Sequence, residues 1–217
     1  MTKHTLTSRT CLGLLALGPR SAYDLVVGYK RTFGQVSTRS DASIYNEPKR
    51  LVAAGLASVT EEQRGRRTVP VYSITEEGLD ALREWLTTPA GFPKLEVEPV
   101  VRVTFSDFGT LDDVRRVIQE FREETVARIV YFRDITEEYL GYDAEYIDRA
   151  HVPTTGGRFI ALILQAYMEW CDWALEMVET WEGTPEERRD QAIAELRRWS
   201  EVGDLWRAAS IRPPRNL

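Results

Sequence analysis

Basic, amide and hydroxyl side chains cluster at two places in the first third of the 217-residue chain. One place is the run Arg64-Gly65-Arg66-Arg67. Asparagine and arginine can form paired hydrogen bonds with base edges in the major groove, whereas lysine and hydroxyl groups suit phosphate oxygens. Both clusters are therefore typical of a surface that contacts nucleic acid. The second cluster contains Ser40, Ser43, Tyr45, Asn46, Lys49 and Arg50.

On a helix over residues 41–54, the polar side chains of this second cluster face away from the apolar ones. Small residues on the polar side allow close approach to a groove. The bland alternative is that Lys49 and Arg50 only form a solvated face and that Tyr45 packs against the preceding helix. The expected buried arc contains Ile44, Pro48, Leu51 and Gly55. The opposite arc contains Ala42, Asn46, Lys49 and Ala53, flanked by Ser43, Tyr45 and Arg50.

Positive charge is concentrated in the N-terminal third of a chain that is acidic overall. The net charge is −6, yet residues 1–75 carry eleven Lys or Arg and five Asp or Glu, a net +6, which leaves −12 for the rest. The arginines of residues 64–67 have no evident role in stability, because like charges repel and exposed ion pairs contribute little. Against phosphates they release counterions and add affinity. The imbalance favours a polyanionic partner for the first part, with chance clustering of charge as the alternative.

Residues with catalytic or metal-binding chemistry are not grouped in the sequence. His4 and His151 have no cysteine or acidic neighbours at metal-ligand spacing. No serine lies in a nucleophile elbow. Residues 155–158, Thr-Gly-Gly-Arg, resemble a fragment of a phosphate loop without its Gly-Lys-Ser/Thr ending, and a helix start explains them more simply. We predict no enzymatic activity, no metal and no cofactor.

The first part is predicted to fold as three helices, a hairpin and a fourth helix. Gly18-Pro19 ends the first helix, and Ser21 with Asp24 forms a capping box for the second. Pro70 favours an edge strand, and Thr75 caps the fourth helix. This order is that of a winged helix-turn-helix, whose third helix can enter a major groove. The predicted helices cover residues 7–17, 21–33, 41–54 and 75–86, and strands over 56–60 and 69–74 flank a polar loop over 61–68.

The second part is predicted to be helical throughout. The fold class is thus mainly α: an N-terminal winged helix-turn-helix plus a C-terminal all-helical dimerisation domain. The helical segments are a short element over 100–108, a long helix over 111–139, and helices over 158–181 and 185–206. The predicted boundaries are 1–88 for the winged helix, 89–99 for a Pro/Gly-rich linker, 100–210 for the helical domain and 211–217 for a flexible tail.

Apolar seams on the long helices predict a homodimer. A two-fold dimer would cover these seams and would set two recognition helices on successive half-sites of a palindromic duplex. A further aromatic stripe favours either a pocket for a small aromatic or apolar effector or a packed dimer core, and the core explains it more simply. The candidate dimerisation residues are Val114, Ile118, Phe121, Phe132 and Tyr139. The candidate effector residues are Tyr167, Trp170, Trp173 and Trp181.

Three stretches of the N-terminal part resemble PadR-like transcriptional regulators. The first runs from Cys11-Leu12-Gly13-Leu14-Leu15 through Gly18-Pro19 to Tyr23-Asp24-Leu25. The second joins Ser43-Ile44-Tyr45, Lys49-Arg50-Leu51 and Gly55-Leu56, and the third is Tyr72-Ser73-Ile74-Thr75-Glu76-Glu77-Gly78. Phe105-Ser106-Asp107-Phe108-Gly109 before a long helix resembles the family's dimerisation region. We add Tyr23 to the candidate DNA contacts.

The chain departs from the family pattern at two positions. Ala22 stands where glycine is usual, and Pro48 stands where leucine is usual, inside the recognition helix. Proline removes one backbone hydrogen bond, so we expect a kink there.

The resemblance implies a homodimeric DNA-binding repressor that is relieved by a small molecule. The alternative is a winged-helix adaptor that binds other proteins and not DNA, and such an adaptor would have no reason to keep the arginine-rich tip. No apolar run approaches the ~18 residues of a membrane helix. Cys11 and Cys171 are far apart, so we expect a reduced, cytoplasmic protein without a membrane partner.

Overall fold

The fold is mainly helical, with one small sheet in its N-terminal part. The computed structural model describes residues 5–37, 39–141 and 149–208, so the predicted tail over 211–217 and His4 lie outside the described residues. The predicted fold class is confirmed. In chain order the elements are α1 (Leu6–Ala16), β1 (Arg20–Ser21), α2 (Ala22–Phe33), α3 (Asp41–Ala53), β2 (Ala57–Arg64), β3 (Arg67–Ile74), α4 (Glu76–Thr87), α5 (Glu98–Thr104), a 3₁₀ turn (Ser106–Phe108), α6 (Leu111–Leu140), α7 (His151–Thr180) and α8 (Pro185–Ala208).

Hydroxyl and carboxylate side chains begin the helices of the winged helix. The Ser21 hydroxyl accepts from the Asp24 amide at 3.1 Å and the Asp24 carboxylate accepts from the Ser21 amide at 3.1 Å. This reciprocal pair confirms the predicted capping box of α2. Thr75 caps α4 as predicted, since its hydroxyl accepts from the Gly78 amide at 3.1 Å. Ser40 caps α3 through the Ser43 amide at 3.3 Å, which fixes where that helix starts.

One apolar core joins the helices of the winged helix to its sheet. Ile44 and Leu51 of α3 are almost fully buried, and Tyr72 of β3 closes the core from the sheet side. Because α3 buries this side, its opposite side is left to solvent. The buried members of the core are Cys11, Leu12, Leu14, Leu15, Ala22, Leu25, Val26, Tyr29, Ile44, Leu51, Leu56, Ala57 and Tyr72.

The hairpin is longer and its turn tighter than the sequence pattern predicts. β2 and β3 pair from Ala57 with Ile74 out to Arg64 with Arg67, so the predicted eight-residue loop over 61–68 is wrong. Only Gly65 and Arg66 remain between the strands, and Gly65 adopts the positive φ of 64° that a tight turn favours. Both faces of the outer hairpin are exposed, so no alternation of apolar and polar residues marks these strands.

Pro70 lies in a strand that has neighbours on both sides, against the predicted edge strand. The sheet order is β1-β3-β2, which makes β3 central. However, β1 has two residues and pairs only with Val71 and Tyr72. At Pro70 the strand therefore has one neighbour, and the missing amide removes no bond to β1.

Two helices differ from their predicted form. α3 continues as one helix through Pro48, whose ring is buried in the core where the expected kink would have displaced it. α7 begins at His151 and not at residue 158, so Gly156 and Gly157 lie inside its first turns. Of the helices in the described part of the chain, none is long and apolar enough to cross a membrane.

The chain divides into two compact units that do not follow the predicted linear boundaries. One unit is Met1–Leu95 with Asp134–Gly156, and the other is Glu96–Arg133 with Gly157–Leu217. Residues 134–156 join the first unit because the end of α6 contacts the winged helix, for example through the ion pair of Arg31 with Glu138. Such a contact between distant segments has no signature in local sequence patterns.

Candidate DNA-binding surface

The exposed side of α3 presents the residue types that the sequence analysis singled out. Tyr45, Asn46, Lys49 and Arg50 are exposed, Tyr45 to 50%. Ser43 is half-buried. The predicted separation of a polar and a buried side is therefore found in the fold, which makes α3 suited to a groove. Gly55, predicted on the buried arc, is exposed because it follows the end of the helix.

Asn46 is partly engaged with its own helix. Its Nδ2 donates to the Ala42 carbonyl at 2.8 Å. The Asn46 side chain thus lies along α3 toward its N-terminus. An adenine edge could be read only after the side chain turns away from this carbonyl, because a paired contact needs both the amide nitrogen and the oxygen.

Glu47 is a buried acid that the sequence analysis did not single out. Only 3% of it is exposed, its Oε1 accepts from the Ser8 hydroxyl of α1, and its Oε2 is 3.5 Å from Arg50 Nη1. Glu47 thereby links α1 to the exposed face of α3. The three-residue spacing of Glu47 and Arg50 was a visible signal for this pair. The contact with Ser8 spans too much sequence to be seen.

The arginines of the hairpin fall into two kinds. Arg66 and Arg67 are exposed and have no carboxylate partner within ion-pair distance among the described residues. Arg64 differs, because its Nη1 is 2.9 Å from Asp24 Oδ2 and its Nε is 3.9 Å from Glu62. The predicted set of three free arginines is thus reduced to two uncompensated charges and one arginine held by α2.

A shallow groove of about 310 Å³ lies between the start of α2 and the exposed face of α3. Tyr23, 69% exposed, projects from α2 beside this groove, and Tyr45 borders it from α3. Burial raises the pKa of Tyr72, and the neighbouring Tyr45 adds to that shift. Tyr23 and Tyr45 therefore share one surface. The groove is lined by Tyr23, Val26, Asp41, Ala42, Tyr45 and Asn46.

The candidate dimerisation residues at the start of α6 are buried within a single chain. Val114 and Ile118 pack against Cys171, Ala174 and Val178 of α7, and Ile118 is fully buried. The seam is thus covered by α7, because the helices fold back on each other, and Val114 and Ile118 are not open to a second copy. Phe132 is half-buried and Tyr139 is 39% exposed.

The aromatic stripe of α7 is divided between packing and solvent. Tyr167 and Trp170 contact Phe121 of α6 with ring centroids 5.3 and 6.0 Å apart. Trp181 packs beside the same cluster, whereas Trp173 is exposed. Phe121 and two of the predicted effector residues thus belong to packing between α6 and α7. Among the described residues, no group of three acidic, His or Cys side chains could hold a metal.

Comparisons with known proteins agree with this geometry. Residues 98–179 match the family model described as virulence activator alpha C-term. Over 84 residues, 38% of this chain and 46% of the relative, the chain is 30% identical to the negative transcriptional regulator PadR of Bacillus subtilis, so it spans less than half of that protein's length. The chain is PadR-like.

Solved structures of PadR-like proteins share the fold. The structure of Bacillus subtilis PadR in complex with operator DNA has a TM-score of 0.69 at 20% identity and covers 81% of this chain and 99% of its own. The same protein in complex with p-coumaric acid gives 0.59 at 20% identity, with 81% and 99% covered. A PadR-like regulator of Bacillus cereus gives 0.66 at 21%, with 80% and 98% covered. The virulence activator AphA of Vibrio cholerae gives 0.60 at 22%, with 80% and 98% covered.

Proposed function

We propose that this PadR-like chain is a DNA-binding transcriptional regulator. The observation that carries the proposal is one surface on which the exposed polar side of α3 and the uncompensated Arg66 and Arg67 occur in a single winged helix. α3 enters the major groove, where Arg50 reads base edges and Lys49 contacts phosphates. The hairpin, hereafter the wing, contacts the adjoining backbone. The structure of Bacillus subtilis PadR with operator DNA supports this arrangement.

The regulator acts as a homodimer on a palindromic operator. Support comes from α8, whose described part has four exposed apolar side chains at near-helical spacing that one chain leaves uncovered. A second copy would bury them and place a second α3 on the next half-site. These side chains are Ile193, Leu196, Trp199 and Val202, between 38% and 61% exposed.

Repression is the proposed outcome of operator binding. The relative from Bacillus subtilis is named a negative regulator, whereas the matched family model and the Vibrio cholerae relative are named activators. A bound dimer that overlaps a promoter blocks it whatever its other contacts, so repression needs no further partner. A promoter fusion with and without the protein tests the sign: lower expression with the protein supports repression, and higher expression contradicts it.

A small aromatic or apolar effector is proposed to relieve binding. Bacillus subtilis PadR has been crystallised with p-coumaric acid, and this chain has aromatic residues on α7. Trp173, exposed, and Trp181, half-buried, leave room to respond to a ligand more readily than the packed Trp170. Addition of p-coumaric acid to the DNA complex is expected to quench tryptophan fluorescence and release DNA. Retained DNA at saturating ligand contradicts this choice of effector.

Selection of bound duplexes from a random library tests the regulator directly. The full chain is expected to enrich a palindrome with half-sites about one helical turn apart, or a multiple of it. The matched control is the Arg66→Ala/Arg67→Ala variant, which keeps α3 and should enrich the same palindrome with lower yield. A library that stays random with the wild-type chain contradicts DNA binding and favours the protein-binding adaptor.

A further inference from the structure

Arg64 ends β2 in direct contact with the helical body of the winged helix. Its Nη1 donates to Asp24 Oδ2 at 2.9 Å, and that same oxygen accepts from the Ser21 amide at 3.1 Å. The capping box therefore holds the carboxylate in place before Arg64 arrives. Charge-assisted hydrogen bonds of this kind are stronger than neutral ones. One ion pair thus links the outer end of the wing to the first turn of α2.

The rest of the outer wing has little to hold it. Every residue of β2 after Ala57 is exposed, and the first residues of β3 are exposed as well. The polar contacts at the tip stay within the hairpin: Gln63 Nε2 donates to the Gly65 carbonyl at 3.1 Å, and the Thr68 hydroxyl donates to Gln63 Oε1 at 3.0 Å. A two-stranded ribbon without a packed face is marginally stable in water. Its orientation is therefore sensitive to a single outside contact.

Asp24 is well suited to be the fixed end of this contact. Partial burial acts to raise the pKa of Asp24, but hydrogen bonds from Ser21 and Arg64 outweigh it and hold the pKa below its usual value. The carboxylate is thus charged at neutral pH. An arginine occupied in this way is a poor phosphate ligand, because a bound phosphate would have to displace the carboxylate.

We propose that Arg64 is a positioning residue that ties the wing to α2 through Asp24 and so holds Arg66 and Arg67 where they meet the phosphates. The proposal rests on the proposed DNA binding and revises the part that the sequence pattern gives to Arg64. Of the arginines in residues 64–67, Arg66 and Arg67 then contact DNA, and Arg64 acts through them.

A double-mutant cycle with a salt titration separates positioning from phosphate contact. Arg64→Ala, Asp24→Asn and their combination are titrated with the selected duplex at several salt concentrations, with Arg66→Ala as the matched control. Positioning predicts that Arg64→Ala weakens binding about two- to fivefold, the range of one exposed ion pair, and leaves the salt slope unchanged. Its cost should shrink once the Asp24→Asn substitution has removed the anchor.

The control is expected to behave differently on both counts. Arg66→Ala should lower the salt slope by about 0.9, the value for one phosphate, and should cost the same with or without the Asp24→Asn substitution. Arg64→Ala would overturn the proposal if it lowered the salt slope as Arg66→Ala does. It would also do so if its cost stayed equal or grew in the Asp24→Asn background, since a freed arginine then contacts the phosphate.

A measurement on the free protein keeps failure of this proposal distinct from failure of DNA binding. The heteronuclear NOE of the Gly65 amide reports motion of the wing tip without DNA. Arg64→Ala and Asp24→Asn should both lower it, and Arg66→Ala should not, with thermal unfolding as the check that all variants are folded. An unchanged Gly65 signal in both variants overturns the tie to α2, even if the wild-type chain binds no duplex.

Discussion

Arg66 and Arg67 carry the most direct prediction at the scale of single residues. Without carboxylate partners among the described residues, each is free to neutralise a phosphate. Arg66→Ala or Arg67→Ala should weaken binding to all duplexes and lower the salt slope by about 1. The matched control is Arg83→Ala, because Asp80 and Glu76 hold that guanidinium at 2.7 and 3.2 Å. A slope unchanged by the wing variants, measured by fluorescence polarisation, would contradict their role.

Substitutions on α3 should change sequence preference and not only affinity. Arg50→Ala removes a candidate base contact, and Asn46→Ala removes another that first has to leave the Ala42 carbonyl. Each should relax preference at one operator position by roughly 1–3 kcal/mol if its contact with a base is bidentate. Titration of single-base operator variants measures this. A uniform loss over all bases would instead indicate phosphate contacts.

Both cysteines should be inert toward thiol reagents in the folded protein. Burial raises the pKa of Cys11 to about 12, with Glu47 adding to the shift, and burial raises the pKa of Cys171 to about 11. Little thiolate then exists at mildly alkaline pH. Ellman's reagent should react with neither thiol until guanidinium chloride unfolds the chain. Fast reaction of one thiol in native buffer would place that residue outside the packed core.

Residue types predicted the exposed face of α3, but not the partners of its charged groups. The alternation along residues 41–54 follows from helix geometry, so Ile44 and Lys49 could be assigned to opposite sides. Arg64 was grouped with its neighbours because its partner, Asp24, lies forty positions earlier. Glu47 was missed for the same reason, since Ser8 belongs to another helix. Pairs between distant segments are set by folding, and one sequence does not display them.

At the scale of elements, a close approach between α4 and the start of the wing gives a stability prediction. A Cβ added at Gly78 would lie 2.1 Å from the Leu56 carbonyl oxygen, which is backbone and cannot move aside. Gly78→Ala should therefore destabilise the fold by about 1–3 kcal/mol. Gly13→Ala is the control, because nothing lies within 4 Å of its added Cβ and alanine favours the helix. Thermal unfolding should separate the two, and equal melting temperatures would contradict the contact.

Elements with local signals were predicted well, and elements without them were not. The caps at Ser21 and Thr75 are short-range motifs, and both begin helices as expected. The wing strands reach Arg64 and Arg67 through ladder hydrogen bonds, which no side-chain pattern reports. The start of α7 at His151 was missed because Pro153 and two glycines disfavour a helix locally. Proline in a first turn is nevertheless tolerated, since its amide has no partner there.

At the scale of the whole molecule, the exposed stripe of α8 predicts a dimer. Sedimentation velocity of the full chain should give twice the monomer mass. Leu196→Glu/Trp199→Glu should give a folded monomer with a weaker hold on the operator, because the gain from tethering two half-sites can reach ~10²–10⁴. Ala194→Glu is the control, since helix geometry puts it on the opposite side of α8. A monomeric wild-type chain would contradict the assembly.

The whole-molecule organisation was the least accessible from sequence. Domain boundaries drawn along the chain could not include residues 134–156 in the unit that contains the winged helix. Likewise, the seam at Val114 and Ile118 was assigned to a partner copy, although α7 of the same chain covers it. An apolar seam specifies that something must cover it, but not which segment does.

Binding of duplex DNA as a function of salt tests the central claim most directly. The selected palindromic duplex is labelled and titrated with the full chain over a series of salt concentrations, with fluorescence polarisation as the readout. Two wings and two recognition helices should neutralise about 6–10 phosphates, so affinity should fall steeply and log-linearly with salt. Absence of duplex binding even at low salt would contradict a DNA-binding regulator.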